Sequence, residues 1–125
     1  MRCPACGTPL ESVPVPEAAD ALFTASTPGA CPGCLTVIDE EVESETAGAS
    51  ALEIQDPVAT AAVWSVIRDL PQLAMSHERI DRGLALAEQA GVDVFLHLER
   101  LSADPSVRPH FDIDRRRRQL AAFVD

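Results

Sequence analysis

Two Cys-x-x-Cys pairs constrain this chain more than any other feature. The pairs are Cys3 with Cys6 and Cys31 with Cys34, and they use all four cysteines of the sequence. Because a two-residue turn brings both sulfurs of a pair to one side, each pair supplies half of a tetrahedral site. Four thiolates suit Zn²⁺. The sequence therefore predicts one structural zinc ion with four protein ligands, Cys3, Cys6, Cys31 and Cys34.

The residues around the cysteines favour tight turns. Pro4 and Pro32 follow the first cysteine of each pair, where a fixed φ suits the turn. Gly7 follows the first pair, where a positive φ would direct a backbone N–H at a thiolate sulfur. In the second pair, Leu35 stands at that position and Gly33 lies inside the turn. We still expect the second pair to form a metal-binding turn.

Redox chemistry and disulfides are the two other uses of such cysteines. A thioredoxin-like redox pair needs one Cys-x-x-Cys between a strand and a helix, and disulfides need an oxidising compartment. The chain starts Met1-Arg2-Cys3, with no apolar signal segment ahead of the cysteines. No apolar run approaches the roughly 18 residues of a membrane span. We therefore expect a cytoplasmic protein with reduced thiols and no membrane partner.

Charge is both strongly acidic and unevenly divided. The 20 acidic residues face ten arginines and no lysine, for a net charge of −10. This balance is typical of proteins from a salt-rich cytosol, although a high-GC coding bias is the alternative. Residues 1–56 carry ten acids and one arginine, whereas residues 57–125 carry ten acids and nine arginines. The difference favours two modules.

The apolar pattern predicts an α+β protein with two domains and a linker. Short apolar segments beside both cysteine pairs predict a small zinc ribbon over residues 1–38, in which residues 17–23 fit either a helical turn or a returning strand. Residues 39–55 are acidic and read as a solvated linker, with an acidic binding tail as the alternative. Residues 56–125 predict an antiparallel bundle of three to four helices, with Trp64 at the edge of its core.

Helix boundaries in the second half are marked by capping residues. Asp56, Ser76, Asp93 and Asp112 each stand before an apolar-periodic segment and predict four helix starts. Gly91 predicts the left-handed residue that ends the second helix.

Nothing in the sequence predicts catalysis. His77-Glu78 begins like a zinc-protease motif, but Asp81 stands where its second histidine belongs. His97 and His110 are isolated and are expected to lie at the surface or to pack between helices. There is no phosphate-binding glycine loop and no nucleophile elbow. We therefore expect a protein that is not an enzyme.

The one basic cluster consists of four consecutive arginines, Arg115, Arg116, Arg117 and Arg118. On a helix, Asp112 faces the first two arginines and Asp114 faces the last two, which predicts intrahelical ion pairs. The same cluster is the candidate contact for a protein partner or for nucleic acid.

Four stretches together resemble a known family. They are Cys3 to Gly7, Cys31 to Leu35, Ala90-Gly91-Val92-Asp93, and the tail from His110 to Leu120. The chain resembles the small, uncharacterised CPxCG-type zinc-ribbon proteins of halophilic archaea. That family is a domain of unknown function, so the resemblance implies zinc and the architecture only.

Two functional hypotheses follow from these features. The first is a zinc-stabilised, non-catalytic adaptor or regulator that binds another protein. The second is a nucleic-acid-binding regulator of transcription or translation, by analogy with other zinc ribbons. With one arginine against ten acids, residues 1–56 offer no phosphate-binding surface, which favours the protein partner.

Overall fold

A computed structural model describes residues 1–44, 52–74 and 76–124. These residues form three short strands, β1 (Glu11–Ser12), β2 (Gly29–Ala30) and β3 (Val37–Ile38). They also form four α-helices, α1 (Pro57–Asp69), α2 (His77–Gln89), α3 (Val94–Ala103) and α4 (Ile113–Val124). Two 3₁₀ helices complete the set, the first at Glu17–Leu22 and the second at Leu70–Gln72. The fold is therefore α+β, as predicted.

The strands form one antiparallel sheet in the order β1-β2-β3. Ala30 lies opposite Glu11 on one side and opposite Val37 on the other. Each strand has two residues, in keeping with the prolines around them, which cannot donate to a strand ladder. Residues 17–22 form the first 3₁₀ helix, so the helical alternative for this segment is the one observed.

Carboxylate caps begin three of the four α-helices. Asp56 accepts a hydrogen bond from the amide of Val58 at 2.8 Å, with proline at the first helical position. Asp93 and Asp112 each accept one from the amide three residues later, at 3.3 and 3.0 Å. Ser76 does precede α2, but its hydroxyl makes no capping hydrogen bond. Asp and Asn caps satisfy the free amides of a first turn, which explains why these starts were predictable.

Helix α1 lies at the centre of the helical half. Trp64 has no exposed surface, so its predicted place at the core edge was wrong.

Gly83 of α2 lets α2 approach α1 closely. A Cβ atom there would lie 2.8 Å from both Ser65 Oγ and Val66 Cγ2. The position therefore tolerates no larger side chain without movement of α1 or α2.

One hydrophobic core crosses the predicted boundary between the N-terminal and helical halves. Val13, Leu22 and Leu35 from the first half pack in the same cluster as the buried side chains of α1. Arg68 of α1 reinforces this contact: its Nη1 donates to the Leu22 carbonyl at 2.6 Å, and its guanidinium lies 4.7 Å from the Phe23 ring centroid.

Both described ends of the predicted acidic linker pack against the protein. Val42, Leu52 and Ile54 are buried, and the Asp39 carboxylate accepts hydrogen bonds from the amides of residues 24 and 25. Residues 45–51 of that linker lie outside the described residues. Across the residues described, no helix combines the length and the apolar character needed to cross a membrane.

Candidate metal centre

The four cysteine sulfurs lie together in one cluster. Cys6 Sγ lies 3.4 Å from Cys31 Sγ, and Cys3 Sγ lies 3.6 Å from Cys34 Sγ. All four sulfurs are within 4.8 Å of one another, and none forms a disulfide. A tetrahedral zinc ion with bonds of about 2.3 Å separates its sulfur ligands by about 3.8 Å. The residues predicted as ligands therefore fit a single metal ion, and four thiolates are a donor set that suits zinc.

The two cysteine turns repeat one backbone pattern. In the first, the Gly7 amide donates to the Cys3 carbonyl at 2.8 Å, and in the second the Leu35 amide donates to the Cys31 carbonyl at 3.0 Å. The amides of Cys3 and Cys31 each donate at 2.8 Å to the carbonyl of the residue five positions later. The second pair thus forms the same turn as the first. The Gly7 amide itself donates to a carbonyl, whereas other backbone N–H groups approach the sulfurs, such as the Cys34 amide at 3.4 Å from Cys31 Sγ.

The turns also share a backbone conformation at different residues. Gly7 has φ 79° and Leu35 has φ 66°. Glycine adopts this left-handed region without cost, whereas leucine pays a steric penalty there. The Leu35 side chain is fully buried in the main core, so the burial of an isobutyl group offsets the backbone strain.

Two threonines near the metal centre were missed in the sequence. Thr8 Oγ1 lies 3.2 Å from Cys6 Sγ, and Thr36 Oγ1 lies 3.0 Å from Cys34 Sγ. Each threonine follows the second cysteine of its pair by two residues, and this shared spacing was the available signal. When the cysteine is a thiolate, each hydroxyl can donate a hydrogen bond to the sulfur and stabilise its negative charge.

Gly33 explains how the two turns approach each other. A Cβ atom at this position would lie 3.0 Å from Thr8 Oγ1 and 3.7 Å from Cys31 Sγ. Glycine inside the second turn therefore leaves room for the threonine that accompanies the first.

The surroundings set unequal pKa values for the four thiols. The hydroxyl and the amide of Thr8 lower the pKa of Cys6 to about 6. Burial raises the pKa of Cys31 to about 12 and also raises that of Cys34. Burial opposes ionisation of Cys3 as well, but backbone hydrogen bonds from residues 5 and 6 bring its pKa below the usual value. A bound divalent cation favours the thiolate at all four positions, so metal binding releases protons.

A small apolar cluster covers the cysteines. Leu10 and Val42 are buried beside Cys3, Cys31 and Cys34. Val42 packs directly on Gly29, where a Cβ atom would lie 2.7 Å from Val42 Cγ2. Cys6 is the one exposed cysteine. The centre is therefore closed on three of its four sulfurs, as expected of a structural metal site.

The second cysteine turn is bonded to the connection between α3 and α4. The Arg108 amide donates to the Gly33 carbonyl at 2.7 Å, and the His110 amide donates to the Cys34 carbonyl at 3.0 Å. Sequence patterns gave no sign of this pairing, since about 75 residues separate the two partners. These two hydrogen bonds therefore attach the segment that precedes α4 to the second cysteine turn.

The arginine cluster lies on α4, far from the cysteines in the sequence. Asp114 accepts hydrogen bonds from Arg117, at 2.7 Å, and from Arg118, as predicted. Asp112 instead caps the helix, and the Arg116 guanidinium donates to Gln119 at 3.1 Å. The predicted pairing of Asp112 with the first two arginines is thus not the arrangement observed.

The histidines make contacts of their own. The His77 ring lies 4.8 Å from the Phe123 ring and its Nδ1 lies 3.5 Å from an Asp81 oxygen. The His110 ring packs against Phe111. Burial lowers the pKa of His97, with the nearby arginine adding to that effect. Among the residues that the structure describes, the cysteines form the only group placed to bind a metal ion.

The chain belongs to a family described as a family of unknown function, DUF6276, whose sequence model matches residues 2–124. The match spans both cysteine pairs and all four α-helices. Neither the curated proteins nor the solved structures include a significant match to this chain.

Proposed function

We propose that this protein is a zinc-stabilised, non-catalytic adaptor or regulator that acts through contacts with another protein. The observation that carries the proposal is the pair of hydrogen bonds from the Arg108 and His110 amides to the second cysteine turn. Through them, an ion bound by the four cysteines braces the helical surface as well as the N-terminal half. Zinc then maintains a surface and performs no reaction.

The charge distribution supports a protein partner over nucleic acid. Residues 1–56 carry one basic residue, Arg2, and its guanidinium donates to the Gly7 carbonyl at 2.8 Å. On α4, Asp114 already pairs with Arg117 and Arg118. Nucleic-acid binding depends on several basic side chains that neutralise phosphates, and each contact weakens as salt rises. On α4, Arg115 and Arg116 remain outside this pairing.

Metal analysis and partner capture test the proposal together. Protein purified without added metal is expected to contain one zinc ion per chain. Immobilised protein is expected to retain a defined protein from nuclease-treated extract of its own source, and to lose it after chelation. Retention that disappears with nuclease treatment would instead indicate nucleic-acid binding. A metal-free protein that is fully folded would contradict the zinc-dependent part of the proposal.

A further inference from the structure

A groove lies between α4 and the end of the second 3₁₀ helix. It has a volume of about 400 Å³, and the described residues that line it are Leu73, Ala74, Arg116, Gln119, Ala122 and Phe123. Most of this lining is apolar. The four α4 residues recur at positions i, i+3, i+6 and i+7, so they lie along one side of the helix.

Phe123 gives the groove an exposed aromatic wall. Its side chain is 52% exposed, although its ring packs against the His77 ring with centroids 4.8 Å apart. On the opposite wall, Leu73 is buried and anchors the segment that precedes α2. The groove is therefore preformed, which lowers the entropic cost of filling it. Exposed aromatic side chains in such pockets are frequent anchors of protein interfaces.

The charge at the groove has the opposite sign to that of the whole protein. Arg116 lines one end of the groove, and the exposed Arg115 precedes it on α4. Over residues 112–118 the net charge is +2, from four arginines and two aspartates, whereas the whole chain carries −10. A ligand that fills this groove is therefore complementary when it combines an apolar side chain with acidic neighbours.

We propose that this groove binds an acidic amphipathic segment of a partner protein, with an apolar side chain against Phe123 and a carboxylate at Arg116. The inference rests on the proposed adaptor function and names the chemistry of its partner. A second copy of this chain is a poorer occupant, because two molecules of charge −10 repel each other. The phosphates of a nucleic acid would also be attracted to both arginines, but a nucleic acid has no aliphatic side chain to fill the apolar part of the groove.

A synthetic peptide can test the groove directly. The probe is a fluorescein-labelled 15-residue helical peptide with leucines at positions 4, 8 and 11 and glutamates elsewhere on its surface. A matched peptide carries lysines in place of the glutamates. In anisotropy titrations at about 0.1 M salt, the acidic peptide is expected to bind at least about tenfold more tightly than the basic one. At about 2 M salt this preference should narrow, because charges are screened.

Variants locate the binding surface. Phe123→Ala is expected to weaken binding of the acidic peptide about tenfold or more, as loss of an aromatic anchor does. Leu96→Ala is the matched control, because Leu96 is 41% exposed on α3 and does not line the groove. Arg116→Glu should weaken binding severalfold and reduce its salt dependence. Arg82→Glu, an exposed change on α2, controls for total charge.

Each other outcome overturns the inference. Equal binding of both peptides, no binding, or an unchanged affinity in Phe123→Ala would each exclude this groove as an acidic-segment site. So would a homodimer in sedimentation that Phe123→Ala dissolves, or a DNA oligonucleotide that competes for the same residues. If Phe123→Ala still captures the native partner fully, the groove is excluded while the adaptor function stands. If wild-type protein captures no partner, the adaptor function itself fails.

Discussion

The backbone amide of His110 donates a 3.0 Å hydrogen bond to the carbonyl of Cys34 and so joins the approach to α4 to the metal centre. The Arg108 amide makes a second bond beside it, at 2.7 Å, to the Gly33 carbonyl. Both acceptors belong to the second cysteine turn. A metal ion held by the four cysteines would fix this turn, so we expect the conformation of the α3–α4 connection to depend on that ion.

Removing zinc should therefore loosen the connection as well as the N-terminal half. We expect chelation to speed hydrogen exchange of the Arg108 and His110 amides by at least about tenfold, because their acceptors lose a fixed position. The Ile80 amide, which donates to Ser76 within the first turn of α2, is the internal control. Amide exchange followed by NMR before and after chelation measures this, and unchanged protection at residues 108 and 110 would contradict the coupling.

Leu35→Gly should destabilise the protein although glycine suits the backbone there. Relief of the left-handed conformation is worth about 1–2 kcal/mol. Loss of the fully buried leucine side chain costs about 3–5 kcal/mol. The net expectation is a loss of about 1–4 kcal/mol in the free energy of unfolding, measured by denaturant titration with zinc present.

Gly7→Ala is the matched change in the first turn. Gly7 has φ 79°, and an added Cβ atom would meet nothing within 4 Å. Only the backbone penalty of about 1–2 kcal/mol is then expected. If Leu35→Gly proved stabilising, burial of Leu35 would not be the reason that leucine stands in this turn.

Asp69→Ala should be among the most damaging single changes in the helical half. The buried Asp69 carboxylate accepts from Arg68 at 2.9 and 3.0 Å and from Arg79 at 2.7 Å. Removing one partner from a buried pair costs about 3–5 kcal/mol, and of the carboxylates that the structure describes the partly buried Arg68 would keep only the more distant one of Asp39, at 3.7 Å. Arg79→Ala should cost less than about 1 kcal/mol, since that side chain is half exposed. Equal losses for the two variants in thermal or denaturant unfolding would contradict this account.

Glu41 should make stability fall as the pH is lowered. Its carboxylate accepts hydrogen bonds from the Thr27 amide and the Ser26 hydroxyl, both at 2.8 Å, and these lower the pKa of Glu41 below its usual value. A carboxyl with a lowered folded-state pKa stabilises the fold above its unfolded pKa, and this contribution is lost as the pH falls through the folded pKa.

The Glu41→Gln variant tests this pH dependence. It should remove part of the drop in stability between about pH 5 and pH 3, measured as the difference from wild type by denaturant unfolding. Glu40→Gln is the neighbouring control. Wild type and both variants lose zinc alike in acid, so a difference confined to Glu41→Gln comes from the Glu41 carboxyl. An identical pH profile for wild type and Glu41→Gln would rule out the contribution.

Local signals account for what was predictable. The Asp caps at positions 56, 93 and 112 and the positive φ of Gly91 depend on a few adjacent residues, so three helix starts and the end of α2 could be placed from sequence. The four cysteines meet because their type and spacing admit few other arrangements. Thr8 and Thr36 share a spacing as regular as that of the cysteines, but threonine is too common for its role to be evident.

Side-chain burial was harder to predict. Trp64 lies beside the apolar stripe of α1 in sequence but is fully buried, because α1 is covered by other elements around most of its circumference. A periodic pattern identifies one apolar face and gives no account of a helix that is enclosed. Val42 was likewise hidden in an acidic segment, where net charge outweighed the one residue that packs over the cysteines.

The sequence by itself determined the candidate metal ligands, the helix starts and the α+β composition, because each depends on residue type and short-range spacing. Only the tertiary structure decided that Leu35 takes the place of a glycine, that Arg108 and His110 brace the second cysteine turn, and that Phe123 lines a groove. These features depend on contacts between segments far apart in the chain. Such contacts are selected by the packing of the whole core, which no local pattern records.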